Sequence, residues 1–450
     1  MAGKTALEEE SAAEELTYPA ADWRGFFREH FGPSMLWALI GIGVSHIVLA
    51  PTLGATFGLF AIWVFGLIYL AKYGAWELGI RYNYGTGKNP VQGYRDLPGP
   101  KNWALWLSVL VFTVMYTAIT AAAGMSTAAL VAALTGLETP IAFVLLIGLA
   151  GALVMFSQYS LLEKVLIGFT VVLGVLLFLG VVVGPPEPGT ATAMAFTVPD
   201  LTGPVFVGLF AAAAGFAPSG FSTTVLVGSW STAKGDGANE LREKGLDPRD
   251  PAYHDYIRAW IATGRRDFNI GYAFSFVLIA AMVVLASNVL YPNPPEDANF
   301  ALAIGDILGD SFGEWSFYAM LIGGFAALYS TVITLLDGAS RATADILPMA
   351  LENEEMDGEP IRKAVVVGVV LVSSVTVLSL GNVPVTLVLF VAAILAVTEI
   401  FFYPANWYIV ENELPEPFRP SRRWHAYYAV SLVFVAIFGV MGAAVRLGFI

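Results

Sequence analysis

The sequence contains no cysteine in 450 residues, which excludes disulfides and thiolate metal sites. Charged residues are scarce at 13%, against roughly 25% in soluble domains, whereas hydrophobic residues reach 57%. Basic residues never form a continuous surface, so we expect no binding of nucleic acid. Phosphate-binding Gly-Lys-Ser/Thr loops, His-Glu-x-x-His pairs and hydrolase serine motifs are also missing. These absences predict a membrane protein that is not an enzyme and carries no cofactor.

Eleven apolar runs are long enough to cross the lipid bilayer, which needs about 20 apolar residues per helix. We label the predicted helices α1 to α11, and they cover residues 34–56, 58–81, 103–134, 140–157, 163–183, 204–229, 267–291, 315–336, 363–380, 384–410 and 425–447. Together they use about half of the chain and leave no room for a second large soluble domain. The sequence therefore predicts an all-α polytopic membrane protein.

Basic residues in the connecting segments set the expected orientation. They occur in the amino-terminal tail and after α2, α6, α8 and α10, whereas segments 135–139, 184–203, 292–314 and 381–383 contain no Lys or Arg. By the positive-inside rule the amino terminus is cytoplasmic and the carboxyl terminus is external. We therefore expect a multi-pass protein of the cell membrane, with its longest cytoplasmic loop at 231–266.

The net charge of −13 lies mostly outside the apolar runs. Residues 1–30 form an acidic cytoplasmic tail, which we expect to be solvated and which lacks the basic start of a cleaved signal peptide. Acidic surfaces with few lysines suit a halophile, and an ordinary acidic tail is the alternative. On the outside, Asp306 and Asp310 lie in the amphipathic segment 300–312, which predicts a short helix on the outer surface.

Two predicted helices, α1 and α6, contain interruptions at equivalent positions. In α1 the interruption is Gly41-Ile42-Gly43-Val44-Ser45-His46, and in α6 it is Gly215-Phe216-Ala217-Pro218-Ser219-Gly220. Gly-Pro pairs open both helices, from opposite sides of the membrane. Matched broken helices of opposite orientation are typical of inverted-repeat transporters. We predict a five-plus-five inverted repeat, residues 31–183 and 204–410, with α11 in an additional segment, 420–450.

The two interruptions also predict where a substrate binds. Gly and Pro weaken helices, and the backbone groups that they free are tolerated in a bilayer only beside protein or a wet cavity. There the groups become ligands, although small residues can instead serve helix packing alone. The predicted substrate-binding residues are Gly43, Ser45, His46, Ala217, Pro218, Ser219 and Gly220.

Residues 32–65 carry a family resemblance and read GPSMLWALIGIGVSHIVLAPTLGATFGLFAIWVF. This run resembles the start of the natural resistance-associated macrophage protein (NRAMP) family of proton-coupled divalent-metal transporters. The Gly-Thr-Gly at 85–87 and Pro218 within α6 are also similar to that family. The resemblance implies an inverted-repeat fold of the amino acid–polyamine–organocation superfamily type. It also implies a metal ion as substrate and proton symport.

The metal-binding motifs of that family are replaced in this chain. Its Asp-Pro-Gly-Asn run falls on Gly43-Val44-Ser45-His46, and its Met-Pro-His run falls on Ala217-Pro218-Ser219. The carboxylate, amide and thioether ligands are absent, and only Pro218 is kept. The family's metal-binding roles therefore do not transfer to these positions.

Ionisable and hydroxyl groups inside the apolar runs supply further candidates. His46 lies near the membrane midplane, where it is a metal ligand, a proton carrier or a packed neutral group. Thr331 and Thr334 share one face of α8, which Asp337-Gly338 is predicted to end, and Glu399 lies within α10. These four residues, Thr331, Thr334, Asp337 and Glu399, form a polar path or gate, or they join helices through hydrogen bonds. Lys72 and Glu77 in α2 are five residues apart and do not share the i,i+4 geometry, so each is expected to form a structural ion pair with another helix or to extend towards the cytoplasmic side.

Three functions remain open at the level of sequence. The first is secondary transport of a divalent metal cation of the Mn/Fe type, linked to protons. The second is transport of an amino acid or another small organic solute, because a neutral polar site suits a zwitterion and a fold does not determine function. The third is a non-transporting membrane sensor that signals through the loop at 231–266.

Overall fold

The computed structural model describes residues 16–32, 43–156, 160–353 and 355–449. Within these ranges all regular secondary structure is helical, as expected for an all-α membrane protein. The acidic residues 8–15 and the opening of α1, including Gly41 and Ile42, lie outside the described residues.

Helices occur at all the predicted positions. The bounds are Ser45–Leu49 continuing as Ala50–Phe57 for α1, Phe60–Thr86 for α2, Trp103–Thr135 for α3, Thr139–Met155 for α4, Ser160–Val183 for α5, His254–Leu290 for α7, Glu314–Ala350 for α8, Gly358–Leu380 for α9, Pro384–Glu413 for α10 and Arg422–Arg446 for α11. Helix α6 consists of two parts, α6a (Pro204–Phe216) and α6b (Thr223–Lys234). In the described part of the chain, seven helices are individually long and apolar enough to cross a membrane, namely α3, α5 and α7 to α11. The chain is a multi-pass membrane protein.

Two expected helix ends and one expected unwound stretch were wrong. Helix α8 does not end at Asp337-Gly338 but continues to Ala350. Gly338 is a helical residue whose missing Cβ makes room for Leu226 of α6b, since a Cβ there would lie 2.9 Å from that side chain. Helix α7 begins at His254, so the latter part of the predicted loop 231–266 is helical. In α1, Ser45 and His46 belong to a π-helical turn and are not unwound.

Two shorter helices lie on the predicted outer side. Phe300–Phe312 is an α-helix, which confirms the helix predicted there, and its Ile304 and Leu308 pack inward while Asp306 and Asp310 are exposed. The segment expected to be a loop at 184–203 contains the helix Pro188–Phe196. Both helices connect spans on the same side of the molecule.

The helices divide into a central group and a peripheral group. The first described turn of α1, Ser45–Leu49, is buried throughout, as is most of α8. By contrast, α5, α9 and α11 expose rows of large apolar side chains, among them Phe169, Leu371 and Val430. Exposed apolar surface of this extent suits contact with lipid acyl chains. The first described turn of α1 and most of α8 therefore lie in the interior, whereas α5, α9 and α11 face lipid.

Two glycines allow close helix contacts in the centre. A Cβ on Gly215 of α6a would lie 1.9 Å from the carbonyl oxygen of Ala392 in α10. A Cβ on Gly43, just before α1, would lie 2.2 Å from the hydroxyl oxygen of Thr331 in α8. Small residues allow such backbone approach in membrane proteins. The end of α6a and the residue Gly43 are thereby held against α10 and α8, respectively.

Candidate functional site

The interruption of α6 extends from Ala217 to Ser222, between the two half-helices. The last helical bond of α6a joins the amide of Ala217 to the carbonyl of Ala213 at 2.7 Å. Pro218 has no amide hydrogen and cannot continue the helical hydrogen bonds, and Gly220 has no side chain to restrict its backbone conformation. The backbone groups of this stretch consequently need partners from other helices.

Those partners are two oppositely charged side chains from α2 and α10. The ammonium of Lys72 donates to the carbonyls of Ala214 and Ser219 at 2.6 and 2.7 Å. The carboxylate of Glu399 accepts the amide of Phe221 on both oxygens, at 3.0 and 3.2 Å. Carbonyls at the end of α6a and within the interruption thus meet a cation, and an amide just before α6b meets an anion.

Lys72 and Glu399 lie at membrane depth, and the side chain of each is only 1% exposed. Their charged atoms are 3.9 Å apart. Glu399 was predicted as part of a polar path or gate, whereas Lys72 was expected only to pair with another helix, so its contact with the interruption was missed. The nearest sequence signal was a lone Lys in an apolar helix, which does not reveal its partner.

A cavity of about 60 Å³ lies where the π-helical turn of α1 meets the interruption of α6. Its wall combines Ser45 of α1, Pro218 to Gly220 of α6 and Thr331 and Thr334 of α8. The lining residues that carry a hydroxyl are Ser45, Tyr116, Ser219, Ser222, Thr223, Thr331 and Thr334. No carboxylate is among the described residues that line it. The site therefore offers neutral oxygens, which suit hard cations better than soft ones.

Three predicted substrate-binding residues do not line this cavity. Gly43 packs against Thr331 and is not part of the lining, and Ala217 is fully buried. His46 is also fully buried, with Nδ1 2.9 Å from the Ser45 hydroxyl and Nε2 3.0 Å from the carbonyl of Ser275 in α7. Its assignment as a metal ligand stays a prediction. Among the described residues, no three His, Asp or Glu side chains are grouped closely enough to hold a metal ion.

The polar face of α8 leads away from the cavity. Thr331 is 8% exposed, Thr334 is half-buried, and Asp337 follows one turn later with a side chain 14% exposed. One carboxylate oxygen of Asp337 binds Arg341 at 2.7 Å, and the other is buried without a hydrogen-bond partner in the described structure. Thr331, Thr334 and Asp337 thus lie along one face of α8, which extends from the cavity towards the predicted cytoplasmic side.

A second polar network lies around Glu77, at the predicted cytoplasmic side of the molecule. Glu77 of α2 pairs with Arg81 at 2.9 Å, with Arg265 of α7, and accepts the hydroxyl of Tyr428 of α11 at 2.8 Å. Glu77 therefore joins three helices, as expected for a structural ion pair. Burial of charge is tolerated here because both signs and a hydroxyl are brought together.

The amino-terminal segment 16–32 is tied to the same side. His30 Nδ1 lies 2.8 Å from Asp236, just after α6b, and the amide of Gly32 donates to Asp267 of α7 at 3.0 Å. Burial raises the pKa of the Asp236 carboxyl, and the hydrogen bond with His30 opposes that rise. The segment that precedes α1 is thus held against both α6b and α7.

Comparison with known proteins places the chain in a family. The model of the natural resistance-associated macrophage protein-like family matches residues 34–444. The chain belongs to this family. An uncharacterized protein of Pasteurella multocida (strain Pm70) is 23% identical to this NRAMP-family chain over 340 residues, which cover 72% of each of the two. The resemblance read from residues 32–65 is confirmed.

Solved structures share the fold. A manganese transporter of Eremococcus coleocola superposes with a TM-score of 0.75 at 12% identity, covering 97% of this chain and 90% of that chain. MhsT in complex with L-phenylalanine matches with a TM-score of 0.58 at 13% identity, covering 93% and 100% of the two chains. At such identity the likeness concerns architecture alone. It confirms the polytopic, inverted-repeat fold predicted for this NRAMP-family chain.

Proposed function

We propose that this NRAMP-family protein is a secondary transporter of divalent metal cations of the Mn/Fe type in the cell membrane, with its amino terminus in the cytoplasm. The observation that carries the proposal is the hydroxyl-lined cavity between the π-helical turn of α1 and the interruption of α6. Membership of the NRAMP family and a manganese transporter among the structural relatives support the choice of cargo.

The size of the cavity favours an ion over an organic solute. Pockets for small organic ligands measure roughly 300–1,000 Å³, whereas this cavity has about 60 Å³. A water molecule needs at least about 10–15 Å³ of such space. The cavity therefore accommodates a cation with a few of its waters in this conformation, and an amino acid requires it to widen.

The described lining of the cavity is uncharged, and this affects how much water a bound cation keeps. A divalent ion surrounded by neutral oxygens keeps part of its hydration shell, as Mg²⁺ and related hard ions do in many sites. The partnerless oxygen of Asp337 then supplies the first carboxylate on the route away from the cavity. Energy comes from an ion gradient in this proposal, because the sequence contains no nucleotide-binding loop. Protons are the proposed coupling ion.

Uptake by proteoliposomes tests the proposal directly. With a trapped metal-sensitive dye, external Mn²⁺ should quench fluorescence, and a trapped pH dye should report acidification if protons accompany the metal. Thr331→Val keeps the shape but removes a cavity hydroxyl, so we expect at least about a tenfold loss of flux, the effect of roughly 1.4 kcal/mol. Thr192→Val is the matched control, since Thr192 is exposed on the helix Pro188–Phe196 and donates to the Pro188 carbonyl of that same helix at 2.8 Å.

The same preparation separates the alternatives. Accumulation of labelled amino acids without Mn²⁺ flux would replace this proposal with organic-solute transport. Absence of both fluxes in folded protein would favour the sensor. Equal Mn²⁺ flux in Thr331→Val and Thr192→Val would remove the cavity from the transport path.

A further inference from the structure

The surroundings of the Lys72 ammonium have the composition of a cation site. Two backbone carbonyls, those of Ala214 and Ser219, lie 2.6 and 2.7 Å from Nζ. The carboxylate of Glu399 lies 3.9 Å away, and the face of the Phe221 ring is 5.0 Å from Nζ. Carbonyl oxygens, one carboxylate and an aromatic face are all groups that stabilise a positive charge.

The interruption of α6 determines where the Lys72 ammonium is bound. Carbonyls at a broken helix are ready cation ligands in inverted-repeat membrane proteins. Here they point to a side chain that enters from another helix, α2, and not to the cavity lined by hydroxyls. The single negative charge of Glu399 balances a single positive charge, so the site suits a monovalent ion.

We infer that the interruption of α6 is an alkali-cation site whose occupant in this protein is the tethered ammonium of Lys72. Truncating Lys72 should leave Glu399 and the two carbonyls able to take up Na⁺ or K⁺ from solution. The wild-type protein should need neither ion to hold α6a and α6b in place. This inference concerns the stability of the interruption and holds whatever cargo the transporter carries.

An ordinary ion pair and a tethered cation differ in one measurable respect. After loss of Lys72, an ordinary pair leaves a buried carboxylate that no solute rescues, and such a charge is strongly destabilising. A cation site is filled by mass action, so its stability rises with the concentration of the ion that binds. The identity of the salt, at constant ionic strength, therefore decides between the two.

The experiment measures thermal unfolding of the full-length purified protein in detergent, with NaCl or KCl exchanged against choline chloride. Wild type should show the same midpoint in all three salts. Lys72→Met should unfold several degrees lower in choline and regain most of that loss, saturably, in Na⁺ or K⁺. Lys72→Met/Glu399→Gln should lose the salt specificity, because the balancing charge is gone.

Lys88 provides a matched control, because it links the end of α2 to α10. Its ammonium binds Glu413 at 2.8 Å, but the side chain is 40% exposed. Lys88→Met should therefore show no preference among the salts. Lys72→Gln, whose amide still donates to a carbonyl, serves as a second variant should Lys72→Met fold poorly.

Each result supports or overturns the inference. Saturable rescue of either Lys72 variant by an alkali cation, absent from Lys88→Met and from the double variant, supports it. Folded Lys72 variants with equal midpoints in all salts overturn it. Failure of both single variants to fold even in molar NaCl and KCl also overturns it, because a competent site would be filled. None of these measurements depends on Mn²⁺ flux, so they stand apart from the test of the proposed function.

Discussion

The imidazole of His46 is enclosed between serines of two helices. A backbone carbonyl only accepts hydrogen bonds, so the contact with the Ser275 carbonyl places the proton on Nε2. Nδ1 is hydrogen-bonded to the Ser45 hydroxyl, 2.9 Å away. Both nitrogens are therefore engaged. Binding a metal at either nitrogen requires one of these bonds to break.

Substitution of His46 tests this geometry. Glutamine also donates and accepts, so His46→Gln should retain Mn²⁺ flux and its dependence on pH between about 5 and 8, the range in which histidine titrates. His46→Ala leaves a buried carbonyl without its partner and should cost about 1–3 kcal/mol of stability. The measurements are proteoliposome flux and thermal unfolding. Loss of flux in a stably folded His46→Gln protein would show that the imidazole is a ligand.

Among the elements, α6a depends on close backbone contact with α10. Gly215 has no room for a side chain, since a Cβ would meet the Ala392 carbonyl at 1.9 Å. The obstacle is backbone, so no rotation of a side chain relieves it. The same half-helix ends one residue later, and Lys72 and Glu399 satisfy the interruption that follows. A shift of α6a therefore disturbs both the packing and the charged contacts.

We expect Gly215→Ala to separate α6a from α10 and to lower stability by about 1–3 kcal/mol, the usual effect of overpacking. Gly168→Ala in α5 is the control, because a Cβ at that position would meet no atom of another helix within 4 Å. Alanine is the better helix former, so Gly168→Ala should be neutral or slightly stabilising. Thermal unfolding of both variants in detergent provides the comparison, and equal midpoints would contradict the close contact.

For the whole molecule, the alternation of basic and non-basic segments implies an orientation. The segment around Glu243 and the outer helix around Asp310 belong to opposite sides in the eleven-helix arrangement. Both residues are exposed, and the chain contains no cysteine of its own. Single cysteines at these positions therefore report orientation without further changes.

An impermeant thiol reagent applied to intact cells should label Asp310→Cys and leave Glu243→Cys unlabelled. Permeabilised cells should label both. The positive-inside rule supplies the reason, since the basic residues after α6 favour the cytoplasm. Labelling of both positions in intact cells would contradict the proposed topology.

Local patterns were sufficient for the framework of this protein. Apolar runs of membrane-spanning length located all eleven helices, and Pro218 between two glycines located the interruption of α6. These features depend on short stretches of chain, because helix formation in lipid and helix breaking by Pro are local effects. Residues 32–65 and Pro218 were also enough to identify the family.

Contacts between distant parts of the chain were decided by the tertiary structure alone. Nothing near Lys72 indicates that its ammonium reaches the carbonyls of Ala214 and Ser219, or that Glu399 holds the amide of Phe221. Likewise, Asp337-Gly338 resembles a helix end, yet α8 continues past it and Gly338 serves as the contact with Leu226 of α6b. The sequence by itself determined where the apolar helices lie and where α6 breaks. The partners of the broken backbone depend on which helices the fold brings together, and that is a property of the packed molecule.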